Sequence, residues 1–276
     1  MKRLAIDVGG TWLRYELVGD EEFCGKLSSR ERGLKAFLED ALQKHPDIDK
    51  IAVSYAGQVH EGSILSAPNI EVDEPDLADW AEARYGIELL LENDLNCAAL
   101  AESVYWEEPH LAALYSGTGL GSGIVEQGEI CHGYRSLAGE VGHIPFREAP
   151  FACGCGKRNC VELYASGSGM AKWGEHLHCP ETDLAAMKES GRDSCRTIYE
   201  HYLEGLLHAA ATLVTLCNPR TLVLGGGVVE HNPWVVEEVK RRVGGYALAA
   251  SLEGLRIEHT RIENASLEGA KILLES

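Results

Sequence analysis

The pattern of apolar and polar positions switches between two periods along the chain. Short apolar runs that end in glycines or in a polar corner indicate strands, and apolar residues spaced three or four apart indicate helices. In the first half, strands are predicted in RLAIDV, WLRYELV, KIAVSYAG and IELLLEN, and helices in ERGLKAFLEDALQKH, DLADWAEARYG and LNCAALAESVYW. The first two strands form a predicted hairpin around Gly9-Gly10, and Gly86 is expected to end the second helix.

The second half begins with the same layout, because LAALYSGTGLGSGIVEQGEI contains an apolar strand, a glycine turn with threonine and a returning strand. This is an internal echo of the first segment, not a regular repeat. Further along, the pattern predicts a long helix in TIYEHYLEGLLHAAATLVTLCNP, a strand in RTLVLGGGVV and a last helix in SLEGAKILLE. Strands and helices mixed in this order predict an α/β protein with two domains.

The net charge and the distribution of the cysteines exclude some classes of protein. A formal net charge of -18 over 276 residues repels the phosphates of nucleic acids and anionic lipids, so we expect neither nucleic-acid nor membrane binding. No signal peptide and no membrane-spanning run is expected. Of the nine cysteines, six are scattered and three lie between residues 153 and 160. That distribution fits a reducing cytoplasm with one local metal site, not a secreted disulfide framework.

Three predicted strands run into glycine turns, at DVGGT (7–11), SGTGLGSG (116–123) and LGGG (224–227). Each turn taken alone could be only a hairpin. Together they favour phosphate binding, because glycines let backbone N–H groups approach phosphate oxygens and Asp7 could hold Mg²⁺. The turns match neither a P-loop nor a dinucleotide fingerprint.

Asn93-Asp94 lies at a predicted strand-to-helix corner. Both residue types are favoured helix N-caps, which is one interpretation of the pair. The other is a general base in a ligand site, since phosphoryl transfer needs a carboxylate that takes the proton of the attacking hydroxyl. The two roles can coexist.

The stretch CGCGKRNCVE (153–162) carries Cys153, Cys155 and Cys160 with the spacing of a metal-binding loop. Three thiolates in one loop suit Zn²⁺, which prefers four N/S ligands, and His143 is the nearest candidate upstream for the fourth. A redox role for the CxC pair is less favoured because a third cysteine is so close. An iron–sulfur cluster would usually need a fourth cysteine, for which Cys131 would have to fold back.

Together, these segments resemble the ROK (repressor, open reading frame, kinase) family of sugar kinases over nearly the whole chain. The motifs that carry the resemblance are DVGGT at 7–11, APN at 67–69, END at 92–94, SGTGLGSG at 116–123, AGEVGH at 138–143, CGCGKRNCVE at 153–162 and LVLGGG at 222–227. The resemblance implies a two-domain actin-like (ribonuclease H-like, hexokinase) fold with a cleft between its domains. The domains would span 1–106, completed by a helix at about 265–276, and 107–264 with the zinc loop.

The resemblance also implies ATP-dependent phosphorylation of a hexose, usually at O6, with Mg²⁺ accompanying ATP. Asp94 would be the catalytic base and Asp7 would lie near the metal–nucleotide. The residues matching nucleotide-binding positions are Gly9, Gly10, Thr11, Gly117, Thr118, Gly119, Gly225 and Gly226. The residues matching sugar-binding positions are Asn69, Asn93, Asp94, Glu140, His143 and Glu162. His143, Cys153, Cys155 and Cys160 would hold a structural Zn²⁺ that fixes the sugar-binding loop and does not activate water.

Among the departures from the family pattern are one next to the first glycine turn and one in the cysteine loop. Trp12 stands where many members have lysine, and Asn159 replaces the last glycine of the cysteine loop, where asparagine could adopt a left-handed conformation.

Glucose is the default substrate, and N-acetylmannosamine, N-acetylglucosamine, fructose, mannose and allose stay open. A repressor is disfavoured by the acidic charge and the first strand at residue 3, a sugar sensor by Asp7 and Asp94, and a simple ATPase by the sugar-loop residues. A cytoplasmic homodimer is expected.

Overall fold

The chain forms two units in this computed structural model, which describes residues 2–275. The first unit holds residues up to Tyr105, the segment Glu129–Ala138 and residues from Ile262 onward. The second holds Trp106–Gly128 and Gly139–Arg261. The segment Glu129–Ala138, which the sequence analysis assigned to the larger domain, therefore packs with the first unit.

A five-stranded sheet is the centre of the first unit, with the strand order β3-β2-β1-β4-β7. The strands of this unit are β1 (Lys2–Val8), β2 (Trp12–Val18), β3 (Asp20–Ser28), β4 (Ile48–Tyr55), β5 (Gln58–His60), β6 (Ser63–Ser66), β7 (Glu88–Asn93) and β10 (Glu129–Ile130), and the helices are α1 (Leu34–Lys44), α2 (Leu77–Tyr85), α3 (Asp94–Tyr105) and α9 (Ala265–Leu273). β1 pairs with β2 antiparallel, and β1, β4 and β7 run parallel.

The two faces of this sheet bury different helices because side chains alternate along each strand. Leu4 and Ile6 belong to the core that includes Leu38 of α1 and Leu77 of α2. Ala5 and Ala52 face α9, where they contact Leu267 and Ala270. Small residues on that face let α9 lie close to the sheet.

The second unit has the strand order β9-β8-β11-β12. Its strands are β8 (His110–Ser116), β9 (Leu120–Glu126), β11 (Thr221–Gly225) and β12 (Arg256–His259), and its α-helices are α4 (Gly167–Leu177), α5 (Leu184–Glu189), α6 (Asp193–Cys217), α7 (Gly227–His231) and α8 (Trp234–Arg242). Short 3-10 helices cover Val141–His143, Val161–Leu163, Val243–Gly245 and Ala249–Leu252. α6 supplies much of the core, including Leu206 and Leu207, which are fully buried.

The internal echo seen in the sequence is present in the strand topology of the two units. β8 and β9 form an antiparallel hairpin, as β1 and β2 do. β8 then runs parallel to β11 and β11 parallel to β12, as β1 does to β4 and β4 to β7. Each unit thus begins with a hairpin around a glycine turn and adds two parallel strands.

The strands and helices predicted from the pattern are all found, with shifted ends. Gly86 ends α2 with a φ of 66° and Asn218 ends α6 with a φ of 46°, both left-handed as expected of helix ends. α6 begins at Asp193, earlier than the apolar pattern indicated. The elements that were not predicted are β3, β5, β6, β10, β12, α4, α5, α7 and α8.

Two of the six scattered cysteines are joined, which the expectation of isolated cysteines did not include. Cys179 follows α4 and Cys195 lies at the start of α6, and their sulfurs form a disulfide. The sequence separation of 16 residues is spanned by α5, so the two helix ends come together only in the folded chain. None of the helices within residues 2–275 is both long and apolar enough to cross a membrane.

Candidate active site

Asp7 lies on β1, next to the first glycine turn, and is 7% exposed. Ser54 Oγ donates a hydrogen bond to its Oδ1 at 3.0 Å, and Arg14 Nη1 donates to its Oδ2 at 3.2 Å. Burial raises the pKa of Asp7, while the bonds from Ser54 and Arg14 oppose that rise. The carboxylate is therefore held in place by fixed donors.

The glycine turn itself is packed closely. Gly9 N–H donates to Trp12 O at 2.9 Å, which closes the hairpin. A Cβ on Gly10 would come within 3.0 Å of Asn69 Cβ, so Asn69 contacts the turn directly. The structure thus brings Asp7, Gly9, Gly10, Thr11 and Asn69 together in the first unit.

Asn93 ends β7 and Asp94 begins α3, so the predicted strand-to-helix corner is present. Asn93 Oδ1 accepts from the N–H groups of Leu95 at 2.9 Å and Asn96 at 3.2 Å. Asp94 Oδ1 accepts from Leu95 N–H at 3.0 Å and from Asn93 Nδ2 at 3.1 Å. The capping role is therefore real, and it fixes the carboxylate of Asp94 at the positive end of the helix.

A polar row crosses the first sheet on one face. Directly paired residues share a face, and the strand registers pair Lys26 with Arg14, Arg14 with Asp7, Asp7 with Ser54, and Ser54 with Glu92. Glu92 belongs to the END motif, but the sequence does not predict a role for it. Its signal in the sequence is a carboxylate at the end of an apolar strand, where burial is costly unless the carboxylate has partners.

The second and third glycine turns meet in the second unit. Gly226 has a φ of 84°, and a Cβ there would come within 2.7 Å of the backbone of Ser116. Gly117 O and Thr118 O accept from the N–H groups of Gly167 at 2.8 Å and Ser168 at 3.1 Å, which ties the turn to α4. Side chains would separate the two turns, so glycine is required where they touch.

The predicted sugar-loop residues Glu140, His143 and Glu162 converge in the same unit. His143 Nε2 and Glu140 Oε2 are 3.9 Å apart. Glu162 Oε2 accepts from Leu120 N–H at 3.1 Å, and its Oε1 lies 3.3 Å from Cys153 Sγ. Gly142 has room for no side chain, because a Cβ would overlap Leu120 O. Glu162 therefore links the start of β9 to the cysteine loop.

The four predicted metal ligands form one cluster. The ligand atoms of His143, Cys153, Cys155 and Cys160 all lie within 4.8 Å of one another. Cys153 Sγ is 3.7 Å from His143 Nδ1, and Cys155 Sγ is 3.4 Å from Cys160 Sγ. Within the part of the chain that the structure describes, the cluster includes no fourth cysteine, so Cys131 does not complete an iron–sulfur set.

Burial raises the pKa of two of the three thiols. It raises the pKa of Cys153 to about 11 and that of Cys160 to about 12. Thiols of this kind stay protonated near neutral pH unless a cation displaces the protons. A Cys3His donor set with both sulfur and nitrogen fits Zn²⁺.

Asn159 does not use the left-handed conformation that asparagine tolerates. Gly156 has a φ of 87° and supplies the left-handed turn, whereas Asn159 does not have a positive φ. Asn159 O instead accepts from Phe146 N–H at 2.7 Å. The loop therefore needs one glycine for its reversal, and the replacement at 159 costs no backbone strain.

Comparison with known proteins gives a consistent result. A model of the ROK family matches residues 3–276. The glucokinase of Halalkalibacterium halodurans is 26% identical over 301 residues, covering 95% of this chain and 91% of that protein. The N-acetyl-D-glucosamine kinase of Vibrio vulnificus is 30% identical over 210 residues, covering 70% of this chain and 68% of that protein.

Solved structures show the same fold at low identity. The ROK family glucokinase of Streptomyces griseus, in complex with glucose and AMPPNP, has a TM-score of 0.78 at 22% identity and covers 99% of both chains. The ROK hexokinase of Thermus thermophilus has a TM-score of 0.80 at 24% identity, covering 100% of this chain and 99% of that chain. A ROK family transcriptional regulator has a TM-score of 0.81 at 20% identity, with 78% of its chain covered. The predicted α/β, actin-like hexokinase fold is confirmed.

Proposed function

The chain belongs to the ROK family, and from that premise we propose that it is a sugar kinase that transfers the γ-phosphoryl group of ATP to a hexose, with glucose O6 as the first candidate acceptor. The observation that carries the proposal is the Asn93-Asp94 corner. It holds a carboxylate at the end of a parallel strand and at the start of a helix, with its Oδ1 fixed by two donors. Ligands in α/β sheets gather beyond such strand ends.

Asp94 acts as the general base in this proposal. It accepts the proton of the sugar hydroxyl as that oxygen attacks the γ-phosphorus, while ADP leaves on the opposite side. The side-chain amide of Asn93 and the N–H of Leu95 at the helix N-terminus hold the carboxylate in one orientation. Asn93 and Asn69 bind sugar hydroxyls in the first unit.

The sugar-binding residues of the second unit are Glu140, His143 and Glu162. Two carboxylates and an imidazole offer acceptors and a donor for ring hydroxyls. A site of this kind rejects a sugar that lacks the matching hydroxyl, because its polar groups would then be left unpaired.

The nucleotide is bound through backbone N–H groups more than through cations, as the net charge of -18 demands. In the first unit these groups come from Gly10 and Thr11, in the turn that the bond from Gly9 N–H to Trp12 O closes. In the second unit they come from Gly117, Thr118 and Gly119, with Gly225 and Gly226 near the adenosine. Asp7 fits the Mg²⁺ that accompanies ATP, since its buried carboxylate is already oriented by Ser54 and Arg14.

Zn²⁺ is the metal proposed for His143, Cys153, Cys155 and Cys160. The ion would supply a structural cross-link between the two stretches that carry Glu140 and Glu162. Since all four positions of a tetrahedral site are then taken by protein ligands, it would have no open position to activate water.

The substrate could be another hexose, because the relatives include both a glucokinase and an N-acetyl-D-glucosamine kinase. N-acetylmannosamine, fructose, mannose and allose are further candidates. A non-catalytic sugar sensor is the second candidate function, favoured by the likeness in fold to a transcriptional regulator. The homodimer and the cytoplasmic location stay predictions.

A coupled ADP-release assay across these hexoses tests the proposal. We expect sugar-dependent ADP release that requires both ATP and Mg²⁺, with one hexose giving the highest kcat/KM. A sensor would instead bind a sugar, measured by calorimetry, without releasing ADP. If no sugar is either bound or phosphorylated, the family's activity does not extend to this chain.

A further inference from the structure

We propose that Glu92 and His132 are positioning residues, which fix the Asn93-Asp94 corner and anchor the chain that leads to the sugar loop. This inference deepens the proposed function and, for its kinetic part, rests on it. We refer to the contact between these two side chains as the clasp. It lies wholly within the first unit.

Glu92 is a buried carboxylate with three donors. It is 8% exposed. Its Oε1 accepts from Asn93 N–H at 2.8 Å and from Asn96 Nδ2 at 2.8 Å, and its Oε2 accepts from His132 Nε2 at 2.6 Å. A buried carboxylate is expensive unless its lone pairs are satisfied, so the three contacts account for its presence in the strand.

The contact with Asn93 N–H is the one that affects the position of Asp94, the proposed base. The caps from Asn93 and Asp94 satisfy the N–H groups of Leu95 and Asn96, inside the helix. Glu92 holds the peptide between itself and Asn93, one residue before Asp94, and through Asn96 it also holds the first turn of α3. The corner is therefore pinned on both sides of Asp94.

His132 connects this corner to a segment with little regular structure. Beyond β10, the residues from 131 to 138 form no helix or strand. Ala138 N–H donates to His132 O at 3.1 Å, and Ser136 Oγ is 3.0 Å from His60 Nδ1. The Glu92 bond raises the pKa of His132, which favours the charged donor. Because Gly139 and Glu140 follow Ala138 in the chain, the clasp anchors the entry to the sugar loop.

The surroundings of the clasp should allow it to be removed without unfolding the protein. A cavity of about 480 Å³ adjoins it, and Glu92, His132, His60 and Ser136 are among the lining residues. Water can therefore replace the imidazole if His132 is shortened, so such variants should fold. Glu88 lines the same cavity at the start of β7 and pairs with Lys50 at 3.4 Å, far along the strand from the corner. Glu88→Gln is thus a matched control.

The kinetic test uses Glu92→Gln, His132→Ala, His132→Gln and the double variant Glu92→Gln/His132→Ala. We expect Glu92→Gln and His132→Ala each to lower kcat about tenfold, with smaller changes in both KM values, because a displaced base impairs the chemical step. His132→Gln keeps a donor of similar reach and should recover most of kcat. The double variant should be no worse than the poorer single variant, since the two residues act as one unit. Glu88→Gln should stay within about twofold of the wild type, because it changes the same chemistry on the same strand without touching the corner.

Hydrogen exchange provides a readout that needs no activity. Amides of residues 92–96 and 129–138 should exchange faster in Glu92→Gln and His132→Ala than in the wild type and in Glu88→Gln. Unchanged kcat in folded Glu92→Gln and His132→Ala, or additive losses in the double variant, would overturn the kinetic role. Unchanged exchange in both segments would overturn the clasp itself. If the wild type phosphorylates no sugar while exchange responds as expected, the proposed function fails and the clasp stands.

Discussion

The Asn93-Asp94 corner in the first unit and the cysteine loop in the second are both rich in polar contacts, but they are built in opposite ways. The corner stands where a buried parallel strand meets a helix, so sheet register and helix capping set its geometry. The loop has only 3-10 turns at Val141–His143 and Val161–Leu163, and one isolated bridge between Pro145 and Cys160. Backbone structure positions the first region, and side-chain ligands must position the second.

This difference predicts that the two regions contribute to different steps of the reaction. A group that takes a proton must be held to a fraction of an ångström, which regular structure does well. A loop that binds a variable sugar can be held by a metal, whose ligands come from separate stretches of chain. Changes at the corner should therefore appear in kcat, and changes at the loop should appear in sugar KM and in metal content.

Asp94→Asn is the strongest test of the corner. Asparagine keeps the cap, since it is as good an N-cap as aspartate, but it cannot accept a proton. We expect kcat to fall by about 10³-fold, within the usual range for removal of a general base, with sugar binding nearly unchanged. Single-turnover phosphoryl transfer and calorimetric sugar binding provide the two measurements. A variant with near wild-type kcat would show that another group takes the proton.

Cys160→Ser is the corresponding test of the loop. Cys160 is fully buried in the four-ligand cluster, so its loss should remove the metal. We expect less than one zinc per chain by elemental analysis and a sugar KM raised by roughly 10- to 100-fold. Hydrogen exchange in residues 92–96 should stay as in the wild type.

Cys24→Ser is the control for that experiment, because Cys24 is an exposed cysteine on β3 and outside the cluster. It should keep the metal and the sugar KM. Full zinc content in Cys160→Ser would count against the Cys3His site, and loss of kcat with unchanged KM would contradict the division between the regions.

Gly142→Ala should give a smaller effect in the same loop. A Cβ at this position overlaps Leu120 O, so the turn that carries His143 must shift. We expect sugar KM to rise several-fold, roughly in line with a strain of 1–3 kcal/mol shared with local relaxation. Gly154→Ala lies in the cysteine loop with no atom near its added Cβ and should be neutral. Equal KM values for the two variants would show that the Val141–His143 turn does not position the sugar-binding groups.

The sequence predicts the candidate site residues of these regions, but not all the side chains that hold them in place, and the reasons are physical. Asp7 and Asp94 could be placed because period-two apolar runs predict where strands end, and ligand groups collect there. The metal cluster could be predicted from ligand chemistry and spacing. The partners Glu92 and His132 could not, because they are 40 residues apart in sequence and meet only through tertiary packing.

Asn159 does not need the left-handed conformation that asparagine tolerates, for a related reason. A glycine pattern shows that a turn needs left-handed backbone somewhere, but not at which residue, and in the structure Gly156 provides it. The disulfide between Cys179 and Cys195 likewise depends on how α4, α5 and α6 pack. Spacing alone does not specify such a pairing.

The smallest predicted effect is a pH dependence confined to the corner. The pKa of His132 is raised in the folded state, with the bond to Glu92 as the main cause. The clasp's contribution to stability is therefore fully present below the ordinary histidine pKa of about 6.5, and it is lost as pH rises through the higher folded value. The side chain of His132 is 47% exposed, so solvent screening keeps this contribution small.

Urea midpoints of the wild type and His132→Gln at pH 6 and pH 9 measure that contribution. The wild type should be the more stable at pH 6, and the difference should shrink at pH 9. His60, Glu61 and Glu88, which line the same cavity, are present in both proteins, so their titration cancels in the comparison. A difference that grows with pH would mean that neutral His132 is the form that binds Glu92. The corner would then be held, like the loop, by a group that must lose a proton before it can bind.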